Sequence, residues 1–236
     1  MKNAIVIGAT SGIGRALAKE LVRHGYTVGA VGRRTELLYS LQRESKGVSY
    51  IKTIDMTAPD APELLEELIS RMGGIDLMVI NAGVGFSNEE LALGAELRTI
   101  AVNVSGFVAA ATVAFKYFRQ QKRGHIVGLS SVAGVRGMGP APAYSASKAF
   151  VSTYLEGLRQ RAIKENIVIT DIRPGFVDTD MTKGQKGMFW VISAQKAAKL
   201  IFEAIEKKKR YAYIPFQWRF VAWLMKIVPA SLYERA

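Results

Sequence analysis

The sequence predicts an α/β fold, a doubly wound and mainly parallel sheet of seven strands with helices on both faces. Three observations predict it. Apolar runs of four to seven residues alternate with amphipathic stretches from Ala4 to Ile214, and this alternation is typical of parallel sheets covered by helices. Glycine-rich or polar turns follow several runs, where such folds place their ligand sites. The length of 236 residues suits one such domain.

The composition is that of a folded protein without cysteine chemistry. With 49% hydrophobic and 22% charged residues, the chain can bury a substantial core and does not resemble a disordered protein. It has no cysteine, which excludes disulfides and thiolate metal sites and suits a cytoplasmic location. The two histidines, His24 and His125, have no partner at ligand spacing, so we expect no metal.

The net charge of +12 would ordinarily favour a nucleic-acid partner. The charge is unevenly distributed, however, because eleven Lys and Arg stand against three Glu from Lys183 onward. Most of the excess therefore lies in the last quarter of the chain. We expect no nucleic-acid partner and a surface role for this basic quarter.

A glycine-rich turn lies between the first strand and the first helix. The apolar run Ala4–Ile7 enters GATSGIG, and the amphipathic stretch Arg15–Arg23 follows. Glycines allow a tight turn and a close approach to a pyrophosphate, which the N–H groups and the dipole at a helix start attract. An ordinary connector between strand and helix is the alternative. The residues assigned here to a dinucleotide cofactor are Gly8, Thr10, Ser11, Gly12, Ile13 and Gly14.

The second strand, Tyr26–Val31, ends in Gly32-Arg33-Arg34. An acidic residue about 20 positions past the glycines binds the ribose hydroxyls of NAD, whereas arginine there accommodates the extra phosphate of NADP. No Asp or Glu stands at this place, and the guanidinium of Arg33 can bind a phosphate bidentately. NADP(H) is therefore predicted over NAD(H), with Arg33 and Arg34 in its site. Two solvated arginines that open a helix are the alternative.

The middle of the chain continues the alternation. The patterns predict, in chain order, the helix Thr35–Glu44, the strand Val48–Ile54, the helix Ala61–Met72 and the strand Gly74–Ile80. A long helix lies within Glu90–Gln121, and its run Phe107–Phe115 is apolar nearly all round. Such a helix belongs in a core or a subunit interface rather than in a membrane. Asn103, within this helix, either bonds its neighbours, kinks the backbone or has a function.

The stretch around Tyr144 carries the clearest chemistry. The strand Gly124–Ser130 is followed by Ser131 and then by a helix with Tyr144 and Lys148. Residues four apart share a helix face, so the ammonium group stands near the phenol. A free tyrosine has a pKa of about 10, which a neighbouring cation lowers. The pattern predicts an acid/base site, with a solvated or packing pair as the alternative.

The last elements complete the sheet. The strand Ile167–Ile172 leads into RPGFVDT, and the helix Ser193–Glu206 precedes the strand Tyr211–Ile214. Between them, Thr182–Ile192 contains Met188, Phe189 and Trp190. These apolar side chains suit either a substrate lid or ordinary core packing.

The tail from Phe216 to Tyr233 is apolar and basic, and it is too short and too charged to cross a bilayer. Two tryptophans with nearby lysines suit an amphipathic helix in a membrane interface. Packing over the active site or against a second subunit is the alternative. We divide the chain into a domain of residues 1–214, which carries both the cofactor and the substrate site, and a tail of residues 215–236.

In order and spacing, these motifs resemble the short-chain dehydrogenase/reductase family, which has a Rossmann-like fold. The family's turn is G-x-x-x-G-x-G, as in Gly8–Gly14, and its active-site serine precedes its tyrosine by about the interval from Ser131 to Tyr144. The resemblance implies that Ser131 polarises a carbonyl oxygen and that Tyr144 donates a proton to it. It further implies that Lys148 lowers the pKa of the tyrosine and binds ribose hydroxyls, while Asn103 holds a water in a proton relay.

The resemblance also assigns the rest of the cofactor site and the substrate site. Asp55 and Met56 would lie against the adenine, with a helix cap as the alternative for Asp55. Asn81, Ala82 and Gly83 would let the chain pass close to the cofactor, although Ile80 stands where the family often has a second asparagine. The residues placed at the nicotinamide are Pro174, Gly175, Val177 and Thr179, together with Tyr144 and Lys148 on its ribose. The residues placed at the substrate are Ser131, Tyr144, Met188, Phe189 and Trp190.

The implied function is an NADP(H)-dependent oxidoreductase that reduces an apolar or amphiphilic ketone or aldehyde to an alcohol, or the reverse. Two other functions are the alternatives. One is a catalytically silent NADP-binding regulator on the same scaffold, and the other is a membrane-surface protein that acts through its tail. The partners implied are a small-molecule carbonyl or alcohol and further copies of the chain in a homodimer or homotetramer.

Overall fold

The computed structural model describes residues 2–185 and 187–234. The strands of its main sheet are β1 (Lys2–Ile7), β2 (Tyr26–Gly32), β3 (Tyr50–Thr53), β4 (Leu77–Ile80), β5 (Gly124–Leu129), β6 (Ile167–Pro174) and β9 (Tyr211–Ile214). All neighbours pair in parallel, in the order β3-β2-β1-β4-β5-β6-β9. Two short strands, β7 (Val177–Asp178) and β8 (Ile192–Ser193), form a separate pair. The predicted seven-stranded parallel sheet is confirmed.

The helices cover both faces of this sheet. They are α1 (Gly12–Arg23), α2 (Thr35–Glu44), α3 (Ala61–Arg71), α4 (Leu93–Ile100), α5 (Gly106–Gln121), α6 (Pro142–Ala162), α7 (Ala194–Glu206), α8 (Trp218–Ile227) and α9 (Ala230–Tyr233). Buried residues of α1, α2 and α7 form one core with the sheet, and those of α3, α5 and α6 form the other. The strand order reverses between β1 and β4, which is where doubly wound sheets open a crevice for ligands.

The long apolar helix is interrupted. A π-helical turn, Ala101–Ser105, joins α4 to α5. The whole stretch Leu93–Gln121 is long and apolar enough to cross a membrane, but half of its most apolar window is buried within the fold. Core helices pass the same test of length and composition. Phe107, which is 3% exposed, and the fully buried Phe118 place α5 in the core, as predicted.

Most strands differ in length from the prediction by one to three residues, and in three of them the structure shows why. β4 begins at Leu77 rather than Gly74, because Gly73 and Gly74 adopt positive φ angles of 69° and 103° in the preceding turn. β3 is confined to the four residues that pair with β2. β6 runs on to Pro174 because its end pairs with β9.

The tail packs onto the body of the protein. On α8, Trp218 and Ala222 are 4% and 1% exposed and lie against Val132, in the 3-10 turn Val132–Val135 that follows Ser131. The guanidinium of Arg136 donates to the carbonyls of Met225 and Val228 at 3.3 and 3.1 Å, which satisfies the end of α8. The tail therefore lies beside the predicted active site, which was one of the alternatives. The division at residues 214 and 215 stays a prediction.

Candidate active site

A cleft of about 480 Å³ opens at the carboxyl ends of β1, β2, β3 and β4. Of the residues assigned to the cofactor, those that line the cleft are Gly8, Thr10, Ser11, Gly12, Ile13, Arg33, Arg34, Asp55, Met56, Asn81, Ala82, Gly83 and Thr179. The sequence analysis missed further lining residues, among them Gly85, Phe86 and Met181. Gly85 and Phe86 continue the loop after β4, so a longer window past the Asn81 motif would have included them.

The glycine turn keeps its side of the cleft free of side chains. A Cβ on Gly8, where φ is +86°, would lie 2.7 Å from the backbone N of Ala82. A Cβ on Gly12, where φ is +52°, would lie 3.1 Å from Thr179. Helix α1 begins at this turn and points its free N–H groups outward, so the turn fits a pyrophosphate. Gly14 has another role, since a Cβ there would lie 2.2 Å from the carbonyl oxygen of Gly8. It allows α1 to pack closely on β1.

The two arginines after β2 differ in their contacts. Arg34 donates to the hydroxyls of Thr10 and Ser11 at 2.9 and 2.7 Å, which ties it to the glycine turn. Arg33 forms a longer ion pair with Asp55, at 3.6 Å, and its side chain is 55% exposed. Both therefore contribute positive charge to the cleft, and Arg33 has the freer side chain.

Asp55 sits opposite Arg33 in a local turn. Its carboxylate accepts from the backbone N and the hydroxyl of Thr57 at 3.0 and 2.8 Å. Burial acts to raise the pKa of Asp55, but the bonds from Thr57 and the charge of Arg33 outweigh it and hold this pKa below its ordinary value. The polar contacts of Asp55 are thus those of a turn-capping residue that also pairs with Arg33, and its contact with adenine stays a prediction.

The loop after β4 connects the cleft to α6. Asn81 donates to the carbonyl of Gly8 at 2.9 Å and so joins the ends of β1 and β4. A Cβ on Gly83 would lie 3.2 Å from Lys148 Nζ and 3.3 Å from Asn103 Oδ1. A side chain at this position would crowd both groups, and glycine lets the backbone approach them closely.

Asn103 lies in the π-helical turn and is 1% exposed. Its side chain accepts from the backbone N of Val84 and donates to the carbonyl of Val84, both at 2.8 Å. It also donates to the hydroxyl of Ser147 at 3.0 Å. Single π-helical turns are frequent at functional sites. Asn103 therefore bonds its neighbours, which was one of the alternatives, and it lies near Lys148. Its role in a water relay stays a prediction.

Ser131, Tyr144 and Lys148 converge at the ends of β5 and α6. Lys148 Nζ donates to the carbonyl of Leu129 at 3.0 Å and lies 5.8 Å from the centroid of the Tyr144 ring. Ser131 Oγ accepts from the backbone N of Ala133 at 3.1 Å and donates to the carbonyl of Pro174 at 3.3 Å. The sequence prediction that these three side chains meet is consistent with this geometry.

The electrostatics of Tyr144 differ from the expectation. Burial raises the pKa of its phenol, and hydrogen bonding with Ser131 acts in the opposite direction. The net direction is upward, because burial of the phenol outweighs the bond with Ser131, so the lowering expected from Lys148 is not found. Burial lowers the pKa of Lys148 to about 8, while the charge of Asp171 acts to raise it.

The turn after β6 is packed rather than open. A Cβ on Gly175 would lie 2.1 Å from the indole of Trp218, so only glycine fits beneath the tail helix. Pro174 and Val177 are buried at strand positions. Of the four residues predicted to meet the nicotinamide, Thr179 lines the cleft, whereas Pro174, Gly175 and Val177 lie outside its lining. Pro174 and Val177 are buried and Gly175 is partly buried, and the contact of these three residues with a nicotinamide stays a prediction.

The predicted lid joins the tail in an aromatic cluster. Phe189 stacks on Trp218 with ring centroids 4.8 Å apart, and Phe176 and Trp190 meet Trp218 edge to face. Phe189 and Trp190 are 47% and 50% exposed, so they cover rather than fill a core. Met188 is half-buried, and Lys186 of this segment lies outside the described residues. Sequence reasoning missed the place of Trp218 in this cluster.

Within residues 2–185 and 187–234, no group of three or more His, Cys, Asp or Glu side chains is placed to hold a metal ion. His125 is buried and shares a hydrogen bond of 2.8 Å with Thr170. His24 stacks on Phe202. Both histidines therefore have structural contacts of their own.

Comparison with known proteins gives the family. The family model for short chain dehydrogenases matches residues 2–188. An uncharacterised oxidoreductase of Myxococcus xanthus is 36% identical over 100% of this chain and 96% of its own length. One from Mycobacterium tuberculosis is 31% identical over 98% of this chain and 95% of its own length.

A solved structure has the same fold over nearly the whole chain. It is a short-chain dehydrogenase from Sphingobium yanoikuyae in complex with NADPH, with a TM-score of 0.83 and 21% identity. The alignment covers 98% of this chain and 97% of that one. Together with the glycine turn and the Ser131, Tyr144 and Lys148 cluster, these matches show that the chain belongs to the short-chain dehydrogenase/reductase family and is an oxidoreductase enzyme with a nucleotide-binding Rossmann fold.

Proposed function

We propose that this enzyme reduces the carbonyl group of an apolar or amphiphilic ketone or aldehyde with NADPH, or runs the reverse oxidation. The observation that carries the proposal is the convergence of Ser131, Tyr144 and Lys148 beside a cleft with a glycine turn and two arginines. The bound nicotinamide supplies or accepts the hydride at the substrate carbon. Everything else in the reaction is orientation and proton transfer by the chain.

The proton steps follow from the three side chains. Ser131 Oγ donates a hydrogen bond to the carbonyl oxygen and polarises it. The Tyr144 hydroxyl gives its proton to that oxygen as the alcohol forms, and the Lys148 ammonium stabilises the phenolate left behind. Asn103, held against Val84, positions a water that returns a proton to the site. Lys148 also binds the ribose hydroxyls of the cofactor.

The preference for NADP(H) rests on Arg33. Its exposed guanidinium at the end of β2 can reach an anion in the cleft, whereas Arg34 is held by Thr10 and Ser11. A guanidinium bonds a phosphate in two parallel hydrogen bonds and so recognises the 2′-phosphate. The NADPH in the Sphingobium structure belongs to a protein of the same fold and agrees with this choice.

Titration with NADPH and with NADH, followed by nicotinamide fluorescence, tests the cofactor site without a known substrate. We expect NADPH to bind more tightly, and Arg33→Ala to weaken NADPH binding by about 10- to 100-fold, since a charged hydrogen bond to phosphate is lost. NADH affinity should change by less than about twofold, because NADH lacks the 2′-phosphate that Arg33 would bind.

Arg43→Ala is the matched control for this titration, because Arg43 is an exposed arginine on α2. It should leave the binding of both cofactors unchanged. Equal losses of NADPH and NADH binding in Arg33→Ala would contradict the phosphate assignment. Failure of the wild-type protein to bind either cofactor would overturn the proposed function.

The substrate class is proposed from the aromatic cluster of Phe176, Phe189, Trp190 and Trp218. The half-exposed rings of Phe189 and Trp190 offer an apolar surface, so we expect long-chain or ring-containing carbonyls to be reduced better than small polar ones. NADPH as reductant favours carbonyl reduction as the direction in the cell. A silent NADP-binding regulator is the alternative, and turnover of any carbonyl in a substrate screen would exclude it.

A cytoplasmic homodimer or homotetramer is the proposed assembly. Leu93, Leu97 and Ile100 are exposed along one face of α4, and an apolar helix face of this kind needs a cover. A second copy of the chain would supply it.

Contact with a membrane surface through α8 is a second proposal, supported by its outer face. Phe216, Phe220, Trp223, Leu224 and Ile227 are each 54 to 62% exposed, and they recur at helical spacing opposite the buried Trp218. Arg219 and Lys226 flank them and are exposed. Aromatic rings beside basic side chains suit the headgroup region of an anionic bilayer. The substrate would then reach the aromatic cluster from the lipid.

We expect the protein to co-sediment with vesicles containing phosphatidylglycerol and much less with pure phosphatidylcholine. The double variant Phe220→Glu/Trp223→Glu should weaken this binding by about tenfold or more, because it adds two negative charges to the apolar face. The matched control is Tyr39→Glu/Ile163→Glu, which adds the same charges at two exposed residues outside both α4 and α8. Unchanged vesicle binding in the tail variant, or a loss only of self-association in size-exclusion chromatography, would contradict membrane contact.

A further inference from the structure

A buried carboxylate lies beneath the active site. Asp171 on β6 has no exposed surface. It accepts a hydrogen bond from Ser130 Oγ at 2.5 Å through one oxygen and from Arg173 Nε at 2.7 Å through the other. The mechanism above gives this residue no role, although burying a charge is costly unless it is paired.

The partners of Asp171 hold the end of β5, where the reacting side chains begin. Ser130 directly precedes Ser131, and its backbone N donates to the carbonyl of Ile172 at 2.9 Å. Leu129, on the other side of Ser130, supplies the carbonyl that binds Lys148 Nζ at 3.0 Å. The Asp171–Ser130 bond therefore fixes the short stretch that presents both Ser131 and the anchor of Lys148.

Asp171 also acts on Lys148 through its charge. The titratable groups that face Lys148 are Tyr144 from its own helix, with the ring centroid 5.8 Å away, and Asp171 from β6. Arg173 and Arg159 interact with Asp171 from β6 and α6. Burial alone favours a neutral lysine, and the carboxylate opposes that effect. A cationic Lys148 is the form that stabilises a phenolate.

We propose that Asp171, whose ion pair is with Arg173, is a positioning residue: its carboxylate holds Ser131 in place through Ser130, and its charge favours the cationic form of Lys148. This inference rests on the proposed function for its kinetic consequence. Its electrostatic consequence is independent of turnover.

The variant Asp171→Asn removes the charge and keeps the shape. We expect the alkaline limb of the kcat–pH profile for NADPH-dependent carbonyl reduction to move to lower pH by about one unit or more, because Lys148 loses its proton earlier. Asp60→Asn is the matched control, since it makes the same change at the exposed N-cap position before α3, where the side chain forms no capping hydrogen bond. It should leave the limb in place.

The free energy of unfolding, measured in urea from pH 6 to pH 9, gives a readout without substrate. Lys148 titrates at about pH 8 in the folded protein and near its higher ordinary value when unfolded. Between these two values the unfolded chain binds more protons than the folded protein, so the wild-type free energy of unfolding rises with pH only above about 8. In Asp171→Asn the pKa of Lys148 in the folded protein is lower, so this rise begins at a lower pH. The stability deficit of the variant should shrink as the pH rises from 6 to 8, whereas the Asp60→Asn difference stays constant.

The proposal would be overturned if the stability deficit of Asp171→Asn stayed constant from pH 6 to pH 8 and the alkaline limb of its kcat–pH profile did not move. If the wild-type enzyme turns over no carbonyl, the proposed function fails, and the stability comparison alone decides whether the charge of Asp171 acts on Lys148. If Asp171→Asn does not fold, Ser130→Ala decides, because it keeps the carboxylate and cuts its bond to β5. For Ser130→Ala we expect kcat to fall about tenfold while the alkaline limb of the kcat–pH profile keeps its position. A kcat of Ser130→Ala within about twofold of the wild type would overturn the proposal.

Discussion

Replacing Tyr144 with phenylalanine is expected to lower kcat for carbonyl reduction by about 1,000-fold or more. In the proposed mechanism the hydroxyl gives its proton to the carbonyl oxygen, and general acid catalysis contributes about 10²- to 10⁴-fold. The ring itself packs against the loop after β4, where a Cβ on Gly85 would lie 3.0 Å from it. The substitution keeps that packing, so NADPH affinity should change by no more than a few-fold.

Tyr154→Phe is the matched control, because Tyr154 lies on the same helix and loses the same hydroxyl. Its ring stacks on Phe150 and meets Phe107 edge to face, away from Ser131. Steady-state rates and NADPH fluorescence titrations of both variants provide the comparison. A Tyr144→Phe enzyme with a rate near that of the wild type would refute the role of the phenol, whereas loss of both activities would point to the helix rather than to the hydroxyl.

The sequence allowed the site to be predicted where local pattern determines geometry. Gly8 and Gly12 follow a strand and open a helix, and the parallel order of strands brings that turn and Asn81 to one edge. Tyr144 and Lys148 share a face because their spacing is one helical turn. These relations need no knowledge of tertiary packing. This is why the glycine turn and Arg33, which were predicted for the cofactor site, line the cleft.

Contacts that depend on burial could not be predicted in this way. The spacing of Tyr144 and Lys148 predicts that a cation lies near the phenol. Whether the tyrosine pKa rises or falls also depends on how deeply the ring is buried, which the spacing does not show. The bond from Asp171 to Ser130 could not be predicted, because the two residues lie on different strands, 41 positions apart, that meet only in the folded sheet. Arg173 is different, since residues two apart on a strand share a face. The length of a strand such as β6 likewise depends on its pairing with β9.

Trp218→Ala is expected to lower the free energy of unfolding by about 3 to 5 kcal/mol, the usual cost of replacing a buried aromatic side chain with alanine. Trp218 is 4% exposed and fills the space above Gly175, where it stacks on Phe189. Its loss removes the surface that holds both the lid and the turn after β6. We therefore expect weaker binding of apolar substrates as well as lower stability in urea unfolding.

Trp223→Ala separates this effect from a general need for tryptophan in α8. Trp223 is 62% exposed on the outer face, so the same substitution should cost about 0.5 kcal/mol or less. Trp218→Phe refines the comparison, because the indole N–H of Trp218 has no hydrogen-bond partner among the described residues, and phenylalanine gives up no hydrogen bond. If Trp218→Ala is no more destabilising than Trp223→Ala, the tail is not part of the folded active-site wall. If the two alanine variants differ by several kcal/mol and Trp218→Phe keeps most of the stability, α8 is an integral part of the folded enzyme. Its inner face then packs beside the active site, and its outer face is left for contact with a partner.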